Sequence, residues 1–243
     1  FRLKQCRPDL NLAVLGDPMN SLMASRAAAG MLAPFGECGE ADRFFRFCRE
    51  SLLQYPDFIK DLISTSDIPV HLSMKGSLIP SSSLGNDWEK RIRFFREENI
   101  PHEIWSPARC QQLAPALAES CGEVMWVGEG QVNNREMHDA LVAASRKLGV
   151  EILEKNVTGF VHDSSIVEAA VTSTLEVRSQ KFVLASGSWS SQLGDALDVS
   201  LPLKPIKGQM CRVQVEDDQL DYTVHGLMTY IAPWRGGKGF VLG

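Results

Sequence analysis

The sequence Ser25-Arg26-Ala27-Ala28-Ala29-Gly30-Met31-Leu32-Ala33-Pro34 contains very little side-chain bulk at its centre, and it follows a short apolar strand predicted at residues 11–15. Glycine and alanine permit a close approach to the main chain that larger side chains would block. The segment therefore suits a flat ring lying against the backbone. A small-residue helix packed closely on a sheet explains the same composition, and the segment by itself does not separate the two interpretations.

Further segments accompany it in a fixed order along the chain. They are Gly130-Gln131-Val132-Asn133-Asn134, Val183-Leu184-Ala185-Ser186-Gly187-Ser188-Trp189-Ser190, and Leu203-Lys204-Pro205-Ile206-Lys207-Gly208-Gln209 with Tyr230-Ile231-Ala232-Pro233. In this order the segments resemble the glycine oxidase and D-amino-acid oxidase (DAO) family of FAD enzymes, over nearly the whole chain. They are similar above all to the glycine oxidase branch associated with thiamine biosynthesis.

The resemblance also bears on the two ends of the chain. A member of the family begins with a strand and a G-x-G-x-x-G turn, whereas this chain opens on a polar, helix-compatible segment at residues 1–9. It stops at Gly239-Phe240-Val241-Leu242-Gly243, where the family continues into elements that include the arginine for the substrate carboxylate. We therefore expect the 243 residues to be an internal part of a longer enzyme. A compact domain with these ends is the alternative.

Composition argues against several classes of protein. Thirty acidic and 25 basic residues give a net charge of -5, which disfavours nucleic acid as a partner because phosphate binding demands a basic surface. No run approaches the roughly 18 apolar residues of a membrane helix. The six cysteines form no C-x-x-C pair and the five histidines no cluster at metal-ligand spacing, so we expect free thiols, no metal site and a cytoplasmic protein.

Hydrophobic spacing predicts the main helices and one central strand. Helical periodicity predicts an amphipathic helix over residues 41–62. Its predicted buried face consists of Phe44, Cys48, Leu52 and Tyr55. Asn86 is predicted to cap a second helix. The buried side of that helix is predicted to carry Trp88, Ile92 and Phe95. The apolar residues 181–185 predict a buried strand.

The order of these patterns predicts the fold class. Residues that read as α/β are followed by mixed α+β, again by α/β, and finally by antiparallel strands. We therefore expect an α/β plus α+β protein, in which an incomplete Rossmann-like FAD-binding domain interleaves with an antiparallel-sheet substrate domain. The first domain is assigned residues 1–66 and 133–200, and the second is assigned residues 67–132 and 201–243.

The resemblance implies FAD as the cofactor. The residues that it implies for FAD binding are Asp17, Ser25, Ala29, Gly30, Met31 and Val157. Ser25 is implied to lie near the phosphates, the main chain of residues 29–31 against the flavin, and the main chain of Val157 at the adenine. The family's ribose-binding acid falls on Gly16. Asp17, one place later, either replaces that acid through a shifted turn or begins a simple turn.

Two further positions near these segments have open roles. Arg26 stands where the family has a small residue, and it either pairs with the pyrophosphate or faces solvent. The chain has no G-x-S-x-G motif, so Ser188 and Ser190 are not predicted nucleophiles. One of them is instead predicted to cap the helix that follows.

Tyr230 aligns with the family's substrate-contacting tyrosine, whose hydroxyl positions the amino acid. An aromatic residue of a strand core is the alternative. The resemblance implies oxidation of the Cα–N bond of glycine or another small amino acid or amine. Hydride passes to flavin N5, the imino acid is hydrolysed, and oxygen as the expected acceptor gives peroxide. Such chemistry needs placement and electrostatics from the protein and no acid–base side chain.

Other functions remain open at this point. A non-catalytic scaffold that has lost its cofactor is the alternative from another class, and Gly16 at the ribose position motivates it. Within the class, the alternatives are a sarcosine oxidase, a D-amino-acid dehydrogenase and the FAD domain of a tRNA-modifying enzyme. The expected partner is a small amino acid or amine, and a homo-oligomer is left open.

Overall fold

The computed structural model describes residues 1–18, 23–117, 119–163, 166–216, 220–226, 228–234 and 238–243. The α-helices within these ranges are α1 (Arg2–Cys6), α2 (Ala24–Ala27), α3 (Pro34–Glu37), α4 (Arg43–Ser66), α5 (Ser81–Leu84), α6 (Trp88–Glu97), α7 (Pro107–Leu113), α8 (Asn134–Lys147) and α9 (Ser190–Asp195). None of the described helices combines the length and the apolar character that crossing a bilayer requires.

The strands follow in the same numbering. They are β1 (Ala13–Leu15), β2 (Met31–Leu32), β3 (Leu72–Ser73), β4 (Ser77–Pro80), β5 (His102–Trp105), β6 (Val124–Val127), β7 (Gly130–Val132), β8 (Glu151–Leu153), β9 (Val157–His162), β10 (Val167–Thr172), β11 (Glu176–Arg178), β12 (Cys211–Gln214), β13 (Thr223–His225), β14 (Tyr230–Pro233) and β15 (Gly239–Leu242).

The chain divides into two compact units that interleave in sequence. Unit 1 consists of Phe1–Ser21 and Ser145–Gly208, and unit 2 of Leu22–Ala144 and Gln209–Gly243. The mixture of helices with parallel and antiparallel strands confirms the predicted fold class. The domain boundaries expected from the sequence fall at other points, and they stay predictions about the cofactor and substrate domains.

Unit 1 contains two small sheets. β1 pairs in parallel with β8, and β9, β10 and β11 form an antiparallel meander. The buried strand predicted at residues 181–185 is wrong, because no strand forms there and Val183 is 83% exposed. A strand is stabilised by its ladder of backbone hydrogen bonds. No described residue of unit 1 forms a ladder with this segment.

Unit 2 is built on a seven-stranded sheet with the order β12-β15-β14-β13-β4-β6-β5. Its neighbours are antiparallel except for the parallel pair β13 and β4. Side chains alternate between its faces, so Leu78 and Ile79 of β4 enter two different apolar clusters. A second sheet has β7 at its centre, between β2 and β3.

The two predicted helices of unit 2 form, with corrections. α4 is capped by Asp42, whose Oδ1 accepts a hydrogen bond from Phe45 N at 2.7 Å. Phe44 is wrong as a buried position, since it is 65% exposed, whereas Phe45 is fully buried. Leu52 is buried as predicted, and the inward face differs from the predicted one at its other positions. It consists of Phe45, Leu52, Ile59, Leu62 and Ser66.

α6 buries the three side chains that its spacing predicts. They are Trp88, Ile92 and Phe95. The predicted cap at Asn86 is wrong, because a 3-10 turn at Gly85–Asp87 precedes the helix and shifts its start to Trp88. Asp87 occupies the N-cap position without a side-chain hydrogen bond to the helix. These aromatic and aliphatic side chains, together with Phe35 and Phe45, join the cluster on one face of the large sheet.

Candidate cofactor and substrate site

The small-residue segment lies between a short helix and a strand. α2 ends at Ala27, and the chain then passes through Gly30 into β2. Gly30 has a φ of +77°, and a Cβ at this position would lie 2.0 Å from the carbonyl oxygen of Val132 in β7. A larger residue would force the two backbones apart. The glycine is thus required by a contact inside the protein, which the sequence-based argument about a flat ring did not include.

The same segment presents backbone donors that lack an acceptor among the described residues. The N–H groups of Ala29 and Gly30 donate no hydrogen bond to another described residue. Their carbonyls do accept, from Gln131 Nε2 at 3.0 Å and from Val132 N at 2.9 Å. Backbone N–H groups in folded proteins nearly always find a partner. Two adjacent free donors on residues without bulk fit the acceptor-rich edge of a flavin ring.

Gln131 connects this segment to the strand that carries Tyr230. Its side chain is buried, and Nε2 donates a second hydrogen bond to the Pro233 carbonyl at 2.8 Å. Pro233 ends β14, and Tyr230 begins it. One amide group, 102 positions along the chain from each of the two carbonyls, therefore ties the predicted flavin segment to the predicted substrate strand. Gln131 belongs to one of the motifs that carry the resemblance, and these two hydrogen bonds are a physical reason for a glutamine at this position.

Tyr230 lies on a cavity of about 520 Å³ in unit 2. The cavity is lined by Gly36, Glu37, Gly39, Ile79, Leu84, Asp87, Lys90, Arg91, His225, Gly226, Met228, Thr229, Tyr230 and Gly243. The Tyr230 hydroxyl donates to Met210 Sδ at 2.7 Å. Burial raises the pKa of the Tyr230 phenol, and the Glu37 carboxylate raises it further. The phenol is therefore protonated at neutral pH and serves as a hydrogen-bond donor.

Arg26 does not face solvent, and its pairing with the pyrophosphate stays a prediction. Its guanidinium is largely buried at 18% side-chain exposure, and Nη1 forms an ion pair with the Asp139 carboxylate. Nη1 also lies 3.1 Å from His138 Nδ1. Both partners belong to α8, so Arg26 fastens α2 to that helix. Ser25 is exposed, and its carbonyl accepts a hydrogen bond of 2.5 Å from Asn134 Nδ2.

Asp17 and Val157 belong to unit 1. Asp17 is exposed and directly follows Gly16, whose N–H donates to the Leu153 carbonyl at 3.0 Å. Val157 is the first residue of β9 and pairs with Thr172. Both side chains occupy the local positions that the sequence assigns them, at the end of one strand and the start of another. Their contacts with the ribose and the adenine stay predictions.

The predicted serine caps are wrong. A 3-10 turn at Gly187–Trp189 leads into α9, whose N-cap position is Trp189. Ser190 is buried, and its Oγ lies 3.0 Å from the Oγ of Ser186. Ser190 therefore bonds back to the residue that precedes the turn, and no side-chain hydrogen bond caps this helix.

Two buried residues beside the cavity escaped the sequence analysis. Glu129 is fully buried between β6 and β7, and His225, in β13, is 6% exposed. Glu129 Oε2 lies 3.3 Å from His225 Nε2. A charged residue flanked by Gly128 and Gly130 at the end of an apolar strand was a usable signal for Glu129. His225 carried none, because the sheet that brings it to Glu129 joins distant parts of the chain.

Arg91 supports the loop on the other side of the cavity. Its Nη1 donates to the carbonyls of Phe35 at 3.0 Å and Cys38 at 2.7 Å. Burial lowers the pKa of the guanidinium, and nearby acidic groups, including Glu129, oppose that shift. An arginine remains charged even so. Arg91 thus holds the chain from α3 to the start of α4 in place.

The described titratable groups outside this cavity do not form a metal centre. All six cysteines are free thiols in the structure. Among the residues that the structure describes, no three His, Cys, Asp or Glu side chains converge on a point where they could hold a metal ion.

The arrangement defines a class of protein. A family model described as FAD dependent oxidoreductase, DAO, matches residues 17–243. The chain therefore belongs to the DAO family of FAD-dependent oxidoreductases. The match confirms the family that the sequence motifs indicated, and with it FAD as the cofactor.

Individual relatives carry more specific names. The chain is 30% identical to the bifunctional protein ThiO/ThiG of Trichormus variabilis over 227 residues, or 90% of this chain and 34% of that protein. It is 26% identical to the glycine oxidase of Geobacillus kaustophilus over 88% of this chain and 58% of the enzyme. The crystal structure of glycine oxidase from Geobacillus kaustophilus superposes with a TM-score of 0.87 at 25% identity, covering 96% of this chain and 64% of that one.

The chain spans about a third of the length of the bifunctional relative and less than two thirds of the length of the glycine oxidases it matches. The family and the fold extend over nearly all of this chain. The activity of the whole protein, its substrate and its partners are matters of proposal.

Proposed function

We propose that this protein catalyses the FAD-dependent oxidation of the Cα–N bond of glycine or another small amino acid or amine. One observation carries the proposal. The side chain of Gln131 ties together the segment of Ala29 and Gly30 and the segment of the cavity-lining Tyr230. The amides of Ala29 and Gly30 have no acceptor in the described part of the chain. The names of the relatives, glycine oxidase among them, support the choice of substrate class.

The residues of the chain suit the binding of FAD in distinct ways. The N–H groups of residues 29 and 30 would face acceptor atoms of the flavin, and the backbone of Met31 would continue the same edge. Ser25 is assigned to the phosphates. In unit 1, Asp17 is assigned to the ribose and Val157 to the adenine. FAD, when bound, supplies the acceptor for the two electrons of the oxidation.

Tyr230 is assigned the positioning of the substrate. Its raised pKa keeps the phenol protonated, so that it can donate a hydrogen bond to a substrate carboxylate. The hydroxyl now donates to the thioether of Met210, which is a weak acceptor. Exchanging a thioether for a carboxylate oxygen strengthens the bond that Tyr230 makes. The imino acid product would be hydrolysed by water, and oxygen is the proposed final acceptor.

Substitution of Tyr230 by phenylalanine tests this assignment. Tyr230→Phe in the flavin-loaded protein should lower kcat/KM about five- to tenfold, since it removes about one hydrogen bond, or about 1 kcal/mol. Turnover is measured as peroxide formed from glycine, with a panel of other small amino acids and amines alongside. Tyr55→Phe, the same chemical change in α4 and outside the cavity lining, is the control and should leave kcat/KM unchanged.

Three outcomes contradict parts of the proposal. A loss of about a hundredfold or more for Tyr230→Phe would indicate acid–base catalysis instead of positioning. An unchanged kcat/KM would remove Tyr230 from the site. A purified protein without the visible absorption of oxidised flavin, even after incubation with FAD, would favour the alternative of a scaffold that has lost its cofactor.

A further inference from the structure

A buried carboxylate joins three separate parts of unit 2. Glu129 Oε1 accepts hydrogen bonds from the backbone N–H groups of Phe35 at 2.5 Å and Gly36 at 2.7 Å. Its other oxygen, Oε2, lies 3.3 Å from Nε2 of His225. Glu129 itself is fully buried, and the His225 side chain is 8% exposed. One side chain thus touches the first turn of α3 and the end of β13.

The two side chains meet at a pair of buried polar atoms. Glu129 Oε2 and His225 Nε2 are both buried, and neither completes a hydrogen bond with a described residue. They remain within ion-pair distance of each other. Burying an unpaired charge or polar group costs several kcal/mol or shifts its protonation. The buried Glu129 carboxylate accepts from two amide donors and lies beside an imidazole, so its position is strongly restricted.

His225 transmits that restriction to the substrate strand. In the antiparallel pair of β13 and β14, His225 lies directly opposite Tyr230. The ring edge of His225 is packed against Gly36, where a Cβ would come within 2.4 Å of Nε2. The imidazole therefore sits between the α3 turn and the strand pair. Movement of Glu129 or His225 would move the backbone that carries Tyr230.

We propose that Glu129 and His225 are positioning residues. They set the location of the Tyr230 hydroxyl relative to α3, the helix that follows the predicted flavin-contacting residues 29–31. The inference rests on the proposed function of Tyr230. The paired atoms are closed off from solvent, so we assign both residues a positioning role. Their effect on turnover passes through Tyr230, and that restriction makes the inference testable.

A double-mutant cycle separates action through Tyr230 from independent action. Glu129→Gln keeps the size of the side chain and an oxygen for the two amides, but it removes the charge. It should raise KM more than it lowers kcat, with a total loss in kcat/KM of about five- to tenfold, the effect of the Tyr230 bond itself. Glu129→Gln with Tyr230→Phe should match Tyr230→Phe alone within about twofold, since residues that act through one contact are not additive.

The control makes the same chemical change at the other end of the same strand. Glu123 is exposed and precedes β6, whereas Glu129 follows it. Glu123→Gln should leave kcat/KM unchanged in both backgrounds. His225→Gln provides a second variant at the other end of the pair, and it should reproduce the cycle if Glu129→Gln fails to fold.

A readout without turnover keeps the inference distinct from the proposed function. The chain has three tyrosines, so fluorotyrosine labelling gives three ¹⁹F resonances, and Tyr230→Phe assigns the one of interest. Glu129→Gln and His225→Gln should both shift the Tyr230 resonance and leave that of Tyr55 in place. Amide exchange at Phe35 and Gly36 should also accelerate in Glu129→Gln, because its carboxylate holds those two groups.

Two results would overturn the inference. One is a pair of losses in kcat/KM that multiply in the double variant, and the other is a Tyr230 resonance that neither variant moves. If the protein oxidises no amino acid or amine, the proposed function fails, and the fluorine shift alone then decides whether Glu129 and His225 position Tyr230.

Discussion

Two apolar segments, residues 29–32 in unit 2 and residues 181–185 in unit 1, differ in how the structure uses them. The first is bound on several sides: Ala29 and Gly30 accept hydrogen bonds from β7, and β2 pairs with the same strand. The second forms no strand, and Val183 is 83% exposed. Both segments carry the apolar character that predicts burial. Apolar character describes what a segment can bury, and partners elsewhere in the chain decide whether it does.

The largest expected effect concerns two glycines with nearly the same backbone conformation. Gly30 has a φ of +77° and a backbone oxygen 2.0 Å from a hypothetical Cβ, whereas Gly149 has a φ of +79° and nothing within 4 Å. Gly149→Ala should cost about 1 kcal/mol in the free energy of unfolding, for the left-handed conformation alone. Gly30→Ala should cost about 3 kcal/mol, because overpacking against Val132 adds to it. Urea denaturation measures both.

Equal losses in the free energy of unfolding for Gly30→Ala and Gly149→Ala would contradict this prediction. Equal losses would mean that the backbones around Gly30 separate freely, and that the close contact with β7 does not hold the segment. If the affinity for flavin falls in Gly30→Ala and not in Gly149→Ala, the contact between Gly30 and β7 also supports cofactor binding.

A smaller effect is expected from the side chain that ties unit 2 together. Gln131→Leu keeps the volume but removes the donor to the carbonyls of Ala29 and Pro233. Leaving buried carbonyls without a partner should cost about 1–3 kcal/mol in the free energy of unfolding. Gln112→Leu, on the exposed surface of α7, is the control. A loss for Gln131→Leu no larger than that of the control would remove the tie between the two segments.

The smallest effect is expected in the exposed segment of unit 1. Val183→Ala should change the free energy of unfolding by less than about 0.5 kcal/mol, as surface substitutions do. Val132→Ala, at 2% exposure in β7, should cost about 2 kcal/mol from lost burial and the cavity left behind. Chemical denaturation of the two variants measures both losses in the free energy of unfolding. A cost for Val183→Ala as large as that of Val132→Ala would place this segment in a buried environment in solution.

Prediction from the sequence succeeded where the deciding interactions are local. The periodicity of Trp88, Ile92 and Phe95 indicated the buried face of α6, which depends on spacing within one helix. The same local argument placed α4 but chose Phe44 instead of Phe45, because a face of a helix is defined by what packs against it and not by spacing alone.

The candidate site was predictable only in part. The motif order located residues 29–31 and Tyr230, and the structure places both in unit 2. Glu129 and His225 were not identified, because they are 96 positions apart in the chain. The pairing of β13 with β4 and β14 brings His225 into the same sheet as β6, the strand that precedes Glu129. Pairing between distant strands has no signature within either segment.

A crystal structure of the protein with FAD and a glycine-like carboxylate inhibitor would show whether residues 29–31 and Tyr230 belong to one active site. We expect main-chain atoms of Ala29, Gly30 and Met31 within contact distance of the flavin ring, at about 4 Å. We also expect the inhibitor carboxylate within hydrogen-bond reach of the Tyr230 hydroxyl. A flavin ring bound away from residues 29–31, or an inhibitor with no contact to Tyr230, would contradict this expectation.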